Sequence, residues 1–293
     1  MHGVVSKVLV TGAGGQLGRE LLRTAPAAIE CLALSRADLD IGDARAVKAL
    51  VDRIQPDLVI NAAAYTAVDK AESEPALAMR INGEGAGYIA AACADAGARL
   101  MHVSTDFVFD GSNSKPYLPD APTAPLGEYG RSKLAGERAV QAALPTALIV
   151  RTAWVYSAYG ANFVKTMLKL MAEREEIAVV ADQVGTPTWA RGLATALWLA
   201  AQKPYLQGIM HWTDAGVCSW YDFAVAIAEE GHAMELLSRR PRVRPIPGSA
   251  YPTPAERPAY SVLNKDGAWE ALETEGRHWR VQLREMLQEL KES

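Results

Sequence analysis

Seven residues near the start of the chain leave the backbone few options. Gly12-Ala-Gly-Gly-Gln-Leu-Gly18 follows directly on the run Lys7-Val-Leu-Val-Thr11 and precedes the helix-like Arg19-Glu-Leu-Leu-Arg23. A strand, a glycine-rich turn and a helix in that order are the context in which a glycine pattern signals dinucleotide binding. Gly12 permits the tight turn, Gly15 lets backbone approach a pyrophosphate, and Gly18 lets the helix pack on the strand. Gln16 and Leu17 open the helix whose N-terminus would hold phosphate. A ligand-free glycine-rich turn is the plain alternative, and the alternating elements downstream weigh against it.

The next apolar run, 31–35, reads as a second strand, at whose end a dinucleotide fold selects its cofactor. Ser35 and Arg36, a hydroxyl and a cation, suit a 2′-phosphate, whereas an acid there would bind ribose hydroxyls. NADPH is therefore expected over NADH, and Asp38 and Asp40 keep NADH open. Asp40 and Ile41 fall where side chains would meet the adenine. Residues 45–54 have helical spacing, and 57–64 read as a buried parallel strand ending in Ala62, Ala63 and Ala64, small enough for a cofactor to lie against. Residues 65–72 read as a loop and 75–97 as an alanine-rich helix. Asn82 lies in its middle, where a buried amide can bridge backbone groups.

Leu100 to Ser104 form a further strand, and Thr105 sits at its carboxyl end, the end where ligands bind in open α/β sheets. A proline-rich loop then leads to a helical segment carrying Tyr129 and Lys133. Four residues of spacing place both on one helix face. Bringing a tyrosine from about pH 10 to about 7 takes roughly 4 kcal/mol, which one charge at about 4 Å supplies at an effective dielectric of about 20. By itself the pair is also what a solvated helix face looks like. The strand and helix rhythm over residues 1–153 predicts a doubly wound parallel sheet, a Rossmann domain binding NADP(H). Residues 154–293 are expected to form a smaller substrate lobe, with 178–203 packing back on the sheet. A helix capped by Ser219, a basic cluster at 239–244 and a proline-dense loop carrying Arg257 follow.

Composition narrows the partners. With 293 residues, 22% of them charged, and a net charge of -4, a nucleic-acid or anionic-membrane surface is not expected. Cys31, Cys93 and Cys218 are odd in number and widely spaced, which fits a reducing cytoplasm better than a disulfide framework. The N-terminal stretch lacks the pattern of a signal peptide, and no apolar run reaches the length of a membrane span.

With Gly12-x-x-Gly15-x-x-Gly18, Asn61-Ala-Ala-Ala64, Ser104-Thr105-Asp106 and Tyr129-x-x-x-Lys133 in that order, the chain resembles the extended short-chain dehydrogenase/reductases. Longer blocks, among them Arg151-Thr-Ala-Trp-Val-Tyr156, Asp182-Gln-Val-Gly-Thr-Pro-Thr188 and Tyr251-Pro-Thr-Pro-Ala-Glu-Arg-Pro258, are similar to the dTDP-4-dehydrorhamnose reductase family. The resemblance implies hydride transfer from NADPH to the C4 ketone of a dTDP-linked 4-keto-6-deoxy sugar. In it Tyr129 is the proton donor, Lys133 binds the nicotinamide ribose and lowers the tyrosine pKa, and Thr105 hydrogen-bonds the reacting oxygen. Asp106, Phe107, Trp154, Asn162 and Arg257 line the sugar-nucleotide side. Two positions depart from the pattern: Phe107 stands where a tyrosine is expected, and Arg191 where an acid is wanted. The second argues against the Mg²⁺-bridged dimer implied for some members, although Glu20 and Glu289 remain; monomer and homodimer both stay open. Other readings are a reductase or epimerase of a GDP sugar, and a non-catalytic NADP-binding regulatory subunit.

Overall fold

The computed structural model describes residues 5–292. Residues 1–4, part of the stretch read above as lacking a signal peptide, and residue 293 lie outside them. The elements in chain order are β1 (Lys7–Thr11), α1 (Gln16–Arg23), β2 (Glu30–Leu34), α2 (Ala44–Ile54), β3 (Leu58–Asn61), α3 (Val68–Ala71), α4 (Pro75–Ala78), α5 (Gly85–Ala96), β4 (Arg99–Thr105), α6 (Glu128–Ala143) and β5 (Leu148–Thr152). There follow β6 (Val155–Tyr156), α7 (Phe163–Glu173), β7 (Glu176–Val180), β8 (Val184–Gly185), β9 (Thr188–Trp189), α8 (Ala190–Ala201), β10 (Gly208–His211), β11 (Cys218–Ser219), α9 (Trp220–Ala233), β12 (Arg242–Ile246), α10 (Asp266–Leu272) and α11 (Trp279–Glu292).

Six parallel strands form the central sheet in the order β10-β5-β4-β3-β1-β2. Alternation along each strand decides which face a residue serves. Val8, Val10, Ile60 and Val150 pack with Leu17 and Leu21 of α1 and Leu193 and Leu197 of α8 on one face. Leu9, Val59, Leu100 and Ile149 face Val47 and Val51 of α2 and Ile89 of α5 on the other. The order in which successive strands are added reverses between β1 and β3, so the switch point where such sheets bind ligands lies at their carboxyl ends. A third apolar cluster joins α7, α9, α11 and β7 beside the sheet. No helix among the described residues is long and apolar enough to cross a membrane.

The expected boundary at 153/154 does not separate these cores along the chain. Beyond it, β10 supplies the sixth strand by pairing with β5, and Ala268 and Leu272 of α10 join the same core as α8. Two local readings also change. The 65–72 loop contains the one-turn helix α3, and 75–97 is interrupted by a π-helical turn, Met79–Glu84. Asn82 explains the widened turn: its amide accepts from Tyr65 N–H (2.8 Å) and donates to Tyr65 C=O (3.0 Å) and to Ser132 Oγ (3.0 Å), tying a loop and α6 to one residue. Arg239, Arg240, Arg242 and Arg244 pair with Glu175, Glu229 and Glu176 at the surface, so the basic cluster is a solvated one.

Candidate active site

The carboxyl ends of β1, β3, β4 and β5 open into one cleft of about 780 Å³. Lining it are Gly12, Gly15, Gln16, Leu17, Arg36, Asp40, Ile41, Ala62, Ala63, Ala64, Thr105, Asp106, Phe107, Tyr129, Lys133, Trp154, Asn162 and Arg257. Of the residues expected at the site, Gly18 and Ser35 do not reach it. Gly18 instead underlies the turn, since a Cβ there would meet Gly12 C=O at 2.3 Å. Gly12 has φ +77, and a Cβ on it would lie 2.6 Å from Ala63 N, which fixes why β1 can end so close to the small residues after β3.

Ser35 is held within its own turn. Its hydroxyl donates to Asp38 Oδ2 at 2.6 Å and its N–H to the same oxygen at 2.9 Å, which holds the Asp38 carboxyl below its usual range and spends the serine on its own turn. Arg36, next to it, is exposed at the cleft and makes no hydrogen bond or ion pair among the described residues. Asp40 is engaged by Arg80 (3.0 Å) and Gly42 N–H (2.9 Å).

Thr105 ends β4 and caps the 3-10 turn Asp106–Val108, accepting Phe107 N–H at 3.2 Å and donating to Asp106 Oδ1 at 3.0 Å. The phenol of Tyr129, on the first turn of α6, faces that hydroxyl, and its ring meets Phe107 edge-on with centroids 5.5 Å apart. Glu72 positions the helix by accepting the Glu128 N–H at 2.8 Å. Lys133 is buried and donates to Val103 C=O at 2.7 Å.

The tuning expected from the four-residue spacing differs. Burial pushes Tyr129 up to about 12, the Asp106 charge adds to the rise and the Thr105 hydroxyl offsets part of it. Burial also lowers Lys133 to about 8. The ammonium is turned into β4 toward a carbonyl, and the loss of hydration outweighs any charge it presents to the phenol. In this structure Lys133 does not make Tyr129 more acidic. Asp106 is itself buried, raised to about 6 by desolvation, with Oδ2 unpartnered.

On the far side Trp154, at φ +47, stacks on Trp220 with centroids 3.5 Å apart and planes 7° from parallel. Asn162 caps α7 and donates to Gln16 Oε1 at 3.0 Å, joining the glycine turn to the second core. Arg257 pairs with Asp69 at 2.9 Å.

The RmlD substrate binding domain model matches residues 6–292. The chain is also 46% identical over 287 residues to a Burkholderia thailandensis dTDP-4-dehydrorhamnose reductase, covering 94% of this chain and 95% of that protein. It belongs to the dTDP-4-dehydrorhamnose reductase family. Other relatives include a Streptomyces niveus dTDP-4-keto-6-deoxy-D-glucose reductase, 43% identical with 94% of each chain covered. A Bacillus anthracis dTDP-4-dehydrorhamnose reductase solved in complex with NADP superposes with TM-score 0.92 at 36% identity, covering 97% of this chain and 99% of that one. The chain is thus an oxidoreductase on a Rossmann-type sheet.

The glycine turn, the small residues after β3 and the unpaired Arg36 form a cradle that fits an NAD(P)H cofactor in this reductase. A metal fits less well. Glu20 is fully buried and accepts from Arg191 Nε (3.1 Å) and Ser157 Oγ (3.1 Å), while Glu289 accepts from Arg191 Nη2 (2.5 Å) and from Arg23. A guanidinium therefore stands between the carboxylates where a cation would bind, and no group of three metal-ligating acids, histidines or cysteines occurs among the described residues. The residues do not fit a bridging Mg²⁺.

Three residues of the site carry no signal of their own in the sequence. Trp220 and Glu72 read as parts of a helix and a loop. Thr152, opposite Thr105 in the β4 and β5 register, lines the cleft with a buried hydroxyl that has no partner. Its place at the carboxyl end of a strand was the one available clue.

Proposed function

We propose that this chain reduces the C4 ketone of dTDP-4-dehydro-6-deoxy-L-mannose to dTDP-L-rhamnose, using NADPH. The observation that carries the reading is the Tyr129 phenol facing the Thr105 hydroxyl at the end of β4, in the cleft that the glycine turn also lines. Bound there, NADPH would supply the hydride to the ketone carbon. Arg36, free of partners, supports NADPH over NADH, as does the NADP complex of the Bacillus anthracis relative. Gly12, Gly15, Gln16, Leu17 and Ala62 to Ala64 hold the cofactor, with Asp40 and Ile41 at its adenine. Lys133 exchanges Val103 C=O for the nicotinamide ribose.

Tyr129 gives its proton to the alkoxide as it forms, and Thr105 orients the reacting oxygen. A phenol near 12 remains protonated at neutral pH, the state a proton donor needs. Asp106, Phe107, Trp154, Asn162 and Arg257 surround the sugar nucleotide. Residues 1–153 with α8, β10 and α10 form the cofactor half, and the core of α7, α9 and α11 backs the substrate half.

Purified protein is expected to oxidise NADPH only when a dTDP-4-keto-6-deoxy-L-sugar is added. Tyr129→Phe should lower turnover by about 10²- to 10⁴-fold while NADPH still binds. Unchanged turnover in that variant removes Tyr129 as the donor. Turnover with the D-configured dTDP sugar alone, or with a GDP sugar, reassigns the substrate.

A further inference from the structure

The Thr105 hydroxyl has one proton and two lone pairs. The proton goes to Asp106 Oδ1 and one lone pair takes Phe107 N–H, so the hydroxyl has only a lone pair left for the phenol it faces. With Asp106 ionised, Thr105 can accept from Tyr129 but has nothing to donate. A proton on Asp106 reverses this, because the carboxyl can then donate to Thr105 and release the threonine proton toward Tyr129. Asp106 is suited to hold that proton. It is 1% exposed and Oδ2 makes no hydrogen bond of good geometry, and desolvation raises the carboxyl to about 6 against the opposing pull of the Ser261 and Thr105 hydroxyls and the Asp106 and Phe107 N–H groups that face it. The titratable group that faces it is Tyr129 of α6. An unpaired carboxylate oxygen in such a place is costly, and the neutral acid removes the cost.

We propose that Asp106 returns to Tyr129, through Thr105, the proton that Tyr129 gives up in each reduction. This rests on the reductase reading and adds a step to it. After Tyr129 has protonated the alkoxide, the O–H bond of Asp106 breaks and its proton binds Thr105 Oγ1. The original Thr105 proton moves to the phenolate. One proton leaves Asp106 and one arrives at Tyr129, no electrons change hands, and the carboxylate takes its next proton from water in the cleft. Asp106 acts through Thr105 and is a positioning and proton-supplying residue; the first proton delivered to substrate is always the tyrosine's own.

The test is rapid-mixing kinetics of Asp106→Asn with NADPH and the dTDP-4-keto sugar. Because Asp106 also borders the sugar nucleotide, the readout is the ratio of the first-turnover rate to the steady-phase rate at saturating substrate, which should rise at least about ten-fold over wild type. In Asp106→Asn an unchanged ratio, whether both phases slow together or neither does, overturns the proposal. Absence of NADPH oxidation by the wild type would instead overturn the reductase reading. A second readout needs neither cofactor nor substrate. The tyrosinate absorbance that Tyr129→Phe removes should appear at lower pH in Asp106→Asn, because the carboxylate no longer opposes ionisation; an unmoved titration overturns the coupling.

Discussion

Arg191→Met isolates the charge cluster that joins α1, α8 and α11. The Glu20 side chain is 0% exposed, and its carboxylate meets Arg191 at 3.1 Å, Ser157 at 3.1 Å and Arg23 only at 3.9 Å. Removing the nearer cation leaves a buried charge with one hydroxyl and a distant guanidinium. Breaking such a pair costs about 3–5 kcal/mol, and the 28% exposure of Arg191 argues for the lower end, about 3 kcal/mol. Methionine retains the apolar stem over Trp189, whose ring lies 4.4 Å from the guanidinium carbon, so lost packing adds little beyond about 0.5–1 kcal/mol of cation–π attraction. At roughly 2.1 cal/mol/K per residue, unfolding a chain this long carries about 0.6 kcal/mol/K, and 3 kcal/mol lowers Tm by about 5 °C. Thermal melts of Arg191→Met, Glu20→Gln and the double variant give the coupling directly. The double variant should melt above Arg191→Met, because the orphaned charge is gone. EDTA and Mg²⁺ should leave the wild-type midpoint unmoved. A wild-type Tm in Arg191→Met, or a double variant less stable than both singles, refutes the reasoning.

Two further perturbations test other parts of the fold. In Gly185→Ala the new Cβ would sit 2.6 Å from the Trp154 ring and push it off Trp220; loss of a stacking platform worth about 0.5–1.5 kcal/mol should raise KM for the nucleotide sugar by about 2- to 10-fold and leave NADPH affinity alone. Steady-state kinetics beside a cofactor titration checks the split, and an equal loss of NADPH affinity counts against it. Asp214 is buried beside Trp189 N–H, Gln282, Lys265 and Arg277, and desolvation pushes its carboxyl up to about 7. A raised carboxyl contributes stability present below its unfolded value near 4 and lost as pH rises through about 7, at most about 4 kcal/mol. Asp214→Asn, which can still accept the Trp189 N–H, should therefore melt above wild type at about pH 8 and converge with it only near about pH 4. A difference that does not depend on pH defeats this account.

The glycine turn, the strand-end Thr105 and the Tyr129 and Lys133 pair were legible because each is local. Their geometry follows from a turn, a strand end and one helical repeat, whatever the remaining chain does. The differences concern what each side chain meets once the chain is folded. Ser35 looked like a phosphate ligand until Asp38, three residues on, took its hydroxyl. Lys133 looked like the charge that tunes Tyr129, because a spacing argument counts the neighbour on the helix and omits the dehydration that the whole cleft imposes. The return of β10 and α10 to the sheet was similarly illegible, since a short apolar run says nothing of which edge it will pair with.

Pairing status decides what three of the chain's arginines, Arg191, Arg257 and Arg36, can do, and none of it follows from composition. Arg191 finds Glu20 171 positions away and Glu289 98 positions away, and becomes a bridge in place of a metal. Arg257 finds Asp69 188 positions away, so an incoming phosphate must compete with a carboxylate already at 2.9 Å. Arg36 makes no hydrogen bond or ion pair among the described residues and stands at the cleft with only the Asp40 charge near it. A paired guanidinium about a quarter exposed offers an anion little net attraction, whereas an unpaired one at a cleft offers a charge-assisted fork. The same residue type therefore stabilises the fold at one site, holds a loop at the second, and stands unpaired at the cofactor cleft at the third.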